Sequence, residues 1–197
     1  MEQTLTRTAA LIIFFSKSLL RHPLARSNLE DFTGNSHFSW IIPDPAHKDN
    51  SVEKPIESHD KIDRVILCSG QVYAALVKHR ESNGIKDAAI TRIEQLNPFP
   101  WQQLKENLDS YPNAKDIVWC QEEPLNAGAW SFVQPRIETL LNETEHHNRR
   151  HVMYAGRNPS ASVATGLKAS HQKEEHELLE DAFKVHQEVL KGQAKNE

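Results

Sequence analysis

Arg64-Val65-Ile66-Leu67-Cys68-Ser69-Gly70-Gln71-Val72-Tyr73-Ala74-Ala75-Leu76-Val77 is the stretch on which the fold turns. Its first five residues form an apolar run of strand length, closed by a Ser-Gly pair. After the pair, Val72, Tyr73, Leu76 and Val77 recur at helical spacing and share one face. Strand, tight turn and helix follow one another without a spacer. Ser69 is placed to cap the helix and Gly70 to take the turn. An unbroken apolar strand leading into an amphipathic helix is the unit of a parallel sheet covered on both faces.

The same alternation repeats downstream. Residues 88–93 read as a strand, Pro98 and Pro100 break the chain, and 101–108 read as a helix. Residues 116–120 are a third strand and 126–141 a helix with Ile137, Leu140 and Leu141 inward. Pro135 lies inside that helix and is expected to kink or split it. Residues 151–155 are a fourth strand, and 169–190 a long terminal helix packed through Leu178, Leu179 and Phe183. A tail from Gly192 is disordered by composition.

Upstream the pattern is less regular. Residues 10–15 read as one short buried strand, and 26–32 as a short helix capped by Ser27. Residues 46–61 are polar and aperiodic, the expected exposed linker. The apolar run near the start is only seven residues long, 9–15, where a membrane span needs roughly 20. Arg7, Lys17, Arg21 and Arg26 with a single acid, Glu2, superficially resemble a mitochondrial presequence; a buried strand followed by a basic loop accounts for them too.

Composition narrows the function classes. The chain has 197 residues, enough for one domain with a core plus tails. A net charge of -4 speaks against a nucleic-acid binder that relies on phosphate contacts. Cys68 and Cys120 are too few and too far apart for a disulfide framework.

In a parallel sheet, function collects where strands end and helices begin. Residues 68–70, 121–128 and 156–166 fall there. Ser69-Gly70 offers backbone N–H groups to an anion, or simply starts a helix. Glu122-Glu123 suggests acid–base or metal chemistry, but adjacent carboxylates on an extended chain diverge. The alternative is one Glu capping the next helix and one in a cross-domain ion pair. Trp130 and Phe132 are core or interface. His146, His147 and His151 bracket cationic Asn148-Arg149-Arg150 and read as a solvated loop rather than a metal frame. Residues 157–166, long and rich in small side chains, are the best hint of a contact surface. No Ser–His–Asp or Cys–His constellation can be assembled.

Four segments carry a resemblance. They are Phe15-Ser16-Lys17-Ser18-Leu19-Leu20-Arg21-His22-Pro23, Thr91-Arg92-Ile93-Glu94-Gln95-Leu96-Asn97-Pro98-Phe99-Pro100, Trp119-Cys120-Gln121-Glu122-Glu123-Pro124 and Tyr154-Ala155-Gly156-Arg157-Asn158-Pro159. Together they resemble the C-terminal, transketolase-type region of 2-oxoglutarate dehydrogenase E1 subunits, with wording similar to fungal versions. The likeness runs over about residues 11–183. The related 2-oxoadipate dehydrogenase E1 shares two of these patterns and matches less well over 154–166.

The resemblance implies an α/β fold of three layers, with a mostly parallel five-stranded sheet in 62–190, a connecting segment in 16–61 and a disordered tail over 191–197. Residues 1–15 would be the remnant last strand of a preceding pyrimidine-binding domain. The first ten residues depart from the family, which suggests a truncated product. It further implies a mitochondrial matrix homodimer of the tricarboxylic acid cycle. That parent uses thiamine diphosphate and magnesium, held by domains that precede this region. It decarboxylates 2-oxoglutarate and works with an E2 succinyltransferase and an E3. This chain alone would bind no cofactor and be inactive, or would dock as a non-catalytic module on full-length E1. In some members an effector site lies partly on this domain. Lys17, Ser18, Arg21 and Gln95 are the positions to test for it. Arg92, Gln121, Glu122, Glu123, Asn126, Trp130 and Arg157 complete the effector or interface candidates. Trp101-Gln102-Gln103 stand where one branch of the family has arginines, a departure that puts an effector site of that type in doubt.

Overall fold

Arg64–Cys68 (β2) lies at the centre of the sheet, and every residue in it is buried. The computed structural model describes residues 17, 19–34, 36–48 and 51–184. The remaining strands are Ile41–Ile42 (β1), Ala88–Ile93 (β3), Asp116–Pro124 (β4) and Val152–Arg157 (β5). Their order across the sheet is β1-β3-β2-β4-β5. The pairs β3–β2, β2–β4 and β4–β5 are parallel, and β1 runs antiparallel to β3. The helices are Val72–Ser82 (α1), Trp101–Asp109 (α2), Trp130–Leu141 (α3) and Lys168–Phe183 (α4).

Alternation along the strands divides the core between two faces. Val65, Leu67, Ile117, Trp119 and Val152 pack with Leu104 and Leu108 of α2 and Val133, Ile137 and Leu141 of α3. The other face carries Ile66, Ile90 and Val118, buried in company with Leu76 of α1 and Leu178 and Ala182 of α4. Helices thus cover both faces, so the central strands are apolar throughout, as a three-layer α/β sheet requires. Each fully buried Ile or Leu here contributes about 1.5–3 kcal/mol of transfer free energy.

The chain divides into two compact units, Met1–Ser39 and Trp40–Glu197. In the first, 3-10 turns occupy Leu19–Arg21, Pro23–Ala25 and Leu29–Phe32. The helix expected over 26–32 is shorter and is entered from Asn28, whose N–H donates to Asp31 Oδ2 at 2.8 Å; Ser27 does not cap it. The strand expected at 10–15, Ser18, and the tail over 191–197 lie outside the described residues.

Several expectations need correction. Residues 46–61 are mostly exposed but not wholly so: Ala46 and Glu53 are buried, and the segment just before supplies β1 and buried Asp44. Ser69 does not cap α1, because Gly70 takes φ +77 and one more turn residue, Gln71, precedes the helix. The helix expected from Asn126 starts only at Trp130, after a turn through Gly128 at φ +66. It runs through Pro135 without splitting. The 146–151 loop is not wholly solvated, since His147 is sealed and its Nε2 donates to Leu108 O at 3.0 Å.

Candidate functional site

The carboxyl ends of β3, β4 and β5 gather most of the candidate residues. At the centre is Gln121, at 3% exposure. Its Oε1 accepts from Trp119 Nε1 at 2.9 Å and from the Trp130 backbone N–H at 3.0 Å. Its Nε2 donates to Ala127 O at 2.8 Å, with Glu123 O and Pro124 O each at 3.3 Å. One amide therefore ties a core tryptophan, the irregular end of β4 and the first N–H of α3. Space around it is tight. A Cβ at Gly128 would lie 2.8 Å from Gln121 Nε2, and one at Gly156 would lie 2.9 Å from Gln121 O.

Glu122 is exposed and accepts from Gln71 Nε2 at 2.7 Å, joining the end of β4 to the start of α1. Glu123 is half-buried, and its carbonyl accepts from Tyr154 Oη at 3.1 Å. Neither Glu caps α3, which has no side-chain cap. Burial pushes the Tyr154 phenol up to about 12. Trp130 is half-buried against the core, its ring 5.1 Å from that of Tyr154. Phe132 is also half-buried, with the Arg136 guanidinium 3.6 Å above its ring. Both are thus core-edge residues.

The 157–167 loop is stapled to its own domain. Asn126 closes both amide atoms on the Ser160 backbone, accepting from its N–H at 3.0 Å and donating to its carbonyl at 2.9 Å. Arg157 donates to Val163 O at 2.8 Å and faces Glu174 Oε2 at 2.7 Å. Held this way, the loop presents Val163 and Leu167 to solvent at 65% and 72% exposure.

Arg92 ends β3 with its guanidinium 4.3 Å above the Tyr73 ring and Glu94 Oε1 3.7 Å from its Nε. Gln95 donates from its side chain to Pro98 O at 3.2 Å and from its backbone to Trp40 O at 3.0 Å. Lys17 and Arg21 are exposed and belong to the unit Met1–Ser39.

A second polar cluster escaped sequence reading. Arg80, 1% exposed, pairs with Asp44 and with Glu53 Oε2 at 2.9 Å and donates to Ala88 O at 3.2 Å. Asp44 also accepts from Ile90 N–H at 2.6 Å and Ala46 N–H at 2.9 Å, while Tyr73 donates to Glu53. Burial pushes the Glu53 carboxyl up, with the Tyr73 hydrogen bond opposing. Asp44 and Glu53 come from the irregular segment before β2 and Tyr73 and Arg80 from the buried face of α1, and nothing in the local spacing pairs the two.

The chemistry available is limited. Cys68 and Cys120 stand side by side in register across β2 and β4, both sealed. Burial raises both thiols, Cys120 to about 12, so neither is a thiolate nucleophile near neutral pH. Among the described residues, no three His, Cys, Asp or Glu side chains come together to hold a metal. A shallow pocket lined by Arg64, Asp87, Lys115, Asp116 and Phe183 lies at the amino ends of the strands, opposite the candidate edge. No described helix is long and apolar enough to cross a membrane.

Comparison with known proteins places these observations. The family model described as 2-oxoglutarate dehydrogenase C-terminal matches residues 26–183. The chain is 52% identical over 173 residues to the mitochondrial 2-oxoglutarate dehydrogenase of Saccharomyces cerevisiae, covering 88% of this chain and 16% of that protein. It is 52% identical over 174 residues to that of Schizosaccharomyces pombe, with the same coverage, 88% and 16%. With the 2-oxoglutarate dehydrogenase E1 component of Brucella anthropi it shares 44% over 173 residues, 88% of this chain and 17% of that one. The chain thus spans about a sixth of the length of these relatives.

Proposed function

The chain belongs to the 2-oxoglutarate dehydrogenase C-terminal family, and on that footing we propose that it is the non-catalytic C-terminal domain of an E1 subunit. In this reading the whole subunit decarboxylates 2-oxoglutarate with thiamine diphosphate and magnesium and hands the succinyl group to a lipoyl-bearing E2, alongside an E3. The parent works in the mitochondrial matrix as part of the tricarboxylic acid cycle. The observation that carries the proposal is the mismatch of coverage: 88% of this chain aligns with 16% of the yeast enzyme.

The residues described do not fit the cofactor. A diphosphate with magnesium calls for carboxylate or carbonyl oxygens converging on the metal and donors on the phosphates. The Glu122 carboxylate is taken by Gln71, the buried carboxylates Asp44 and Glu53 are committed to Arg80, and among the described residues no three carboxylate, His or Cys side chains converge. What this chain contributes is a rigid carboxyl edge, set by Gln121, against which other parts of the subunit are held.

Purified chain, incubated with thiamine diphosphate, magnesium and 2-oxoglutarate, is expected to release no carbon dioxide. Turnover by the chain alone would refute the reading. A second reading is favoured by the stapled loop with exposed Val163 and Leu167: the chain docks as a module on full-length E1. Co-purification with a full-length subunit supports it, and no association at micromolar concentration removes it.

A further inference from the structure

His47 and His59 meet at the base of the segment that carries Asp44 and Glu53. His47 ends the 3-10 turn Pro45–His47, and His59 opens the turn His59–Lys61. Their ring centroids are 4.0 Å apart, edge to face, and both rings lie against Tyr111, at 5.7 and 5.0 Å. His47 Nε2 is shut off from water and has no hydrogen-bond partner. A neutral ring with its lone pair there loses one weak acceptor contact. A protonated ring would bury both a charge and an N–H with nowhere to donate.

The surrounding charges do not relieve this. Arg80 repels a proton on His47, as does a charged His59. Asp44 attracts one, but its carboxylate is already held by Arg80 and by the Ile90 and Ala46 N–H groups. His59 is exposed. Its neighbours Asp60 and Lys61 offer one charge of each sign. A proton on His47 would also set a charge edge-on against the His59 ring.

We propose that the His47–His59 pair is a proton-operated clasp, and that protonating the sealed His47 ring against His59 loosens the limbs 41–48 and 51–61 from β3 and α1. The consequence reaches the carboxyl edge of the sheet. β1 pairs Ile41 with Ile93 and Ile42 with Arg92, and Trp40 O accepts from the N–H groups of Glu94 and Gln95. Opening the clasp therefore frees the backbone that orients Arg92, Glu94 and Gln95. Burial lowers the His47 pKa, the same direction as the clasp requires. Its stabilising effect is complete above the unfolded histidine value and is lost as pH falls through the folded one.

Hydrogen–deuterium exchange on the full chain, corrected for intrinsic rates, tests this at about pH 7.5 and about pH 6.0. Wild type should lose about fourfold of its protection in 41–48, 51–61 and 88–95 beyond any change shared by β4 and α3; His47→Gln should abolish that extra loss, and His59→Gln, which removes the facing ring, should reduce it. Comparing variants cancels Glu53, which titrates with the opposite sign and is present in all three. The clasp is ruled out if wild-type limbs change no more than β4, or if His47→Gln keeps the full loss. Should His47→Gln fail to fold, the exposed His59→Gln decides alone. The His47 imidazole proton resonances give an independent reading: a midpoint that moves in His59→Gln supports the clasp, and one that stays in place overturns it.

Discussion

The two flanks of the sheet are secured by different chemistry. On the β4–β5 side a neutral amide, Gln121, satisfies five backbone and side-chain groups at once. On the β1–β3 side a guanidinium, Arg80, sits between two carboxylates and a phenol relay. An uncharged hub is indifferent to pH and salt and fails only by losing its donor or acceptor. An ionic hub is costly to bury and fails severely when one charge is left alone. The edge that shapes the candidate surface thus rests on the uncharged hub, and the ionic hub carries the segment leading to β1.

The sharpest way to break this comparison is Arg80→Met. It strands Asp44 and Glu53 without their cation, and urea unfolding should show a loss of about 3–5 kcal/mol. Gln121→Ala should cost less, about 2–3 kcal/mol, since it orphans the Trp119 indole N–H and the Trp130 N–H. If the order of these two losses were reversed, the contrast between the flanks would collapse. Asn126→Ala removes two exposed bonds to Ser160 and should cost about 1 kcal/mol, while raising protease cleavage within 157–167.

The gentlest effect is a pH slope. Burial lowers the pKa of His47, His79 and His147, so the unfolded chain binds more protons than the folded one just below the ordinary histidine value. Stability should therefore be flat above about pH 6.5 and fall as the pH drops below it. Thermal melts across that range check this, and melts that rise on acidification would contradict it. The slope should persist in Gln121→Ala, whose hub carries no charge.

Much of the fold was legible because a parallel sheet writes itself as apolar runs. β2 and β3 appear at their expected bounds, 64–68 and 88–93, and α1 buries the face formed by Val72, Tyr73, Leu76 and Val77. β1 was missed because two residues, Ile41 and Ile42, before a proline have no periodicity to read. Glu53 was assigned to solvent because a carboxylate is almost never buried unless paired, and its partner, Arg80, lies 27 residues away. Gln121 stood out through a family pattern, yet nothing in the sequence said that its amide would turn inward. The turn before α3 hid likewise, because small residues suit a helix start as well as a Gly128 turn with positive φ. The surface role of Arg92, Gln95, Glu122 and Arg157 stays a proposal.

The bond between Trp119 and Gln121 also gives the chain a natural optical reporter. Trp119 is 1% exposed with its indole N–H engaged, whereas Trp40 and Trp101 are 42% and 45% exposed. Iodide in solution would quench emission from the two outer indoles and leave Trp119, with half-buried Trp130 beside the same amide, shining toward the blue edge of the spectrum. That residual light would report on the surroundings of the Gln121 hub, while the quenchable fraction, through Trp40, would follow the edge of β1.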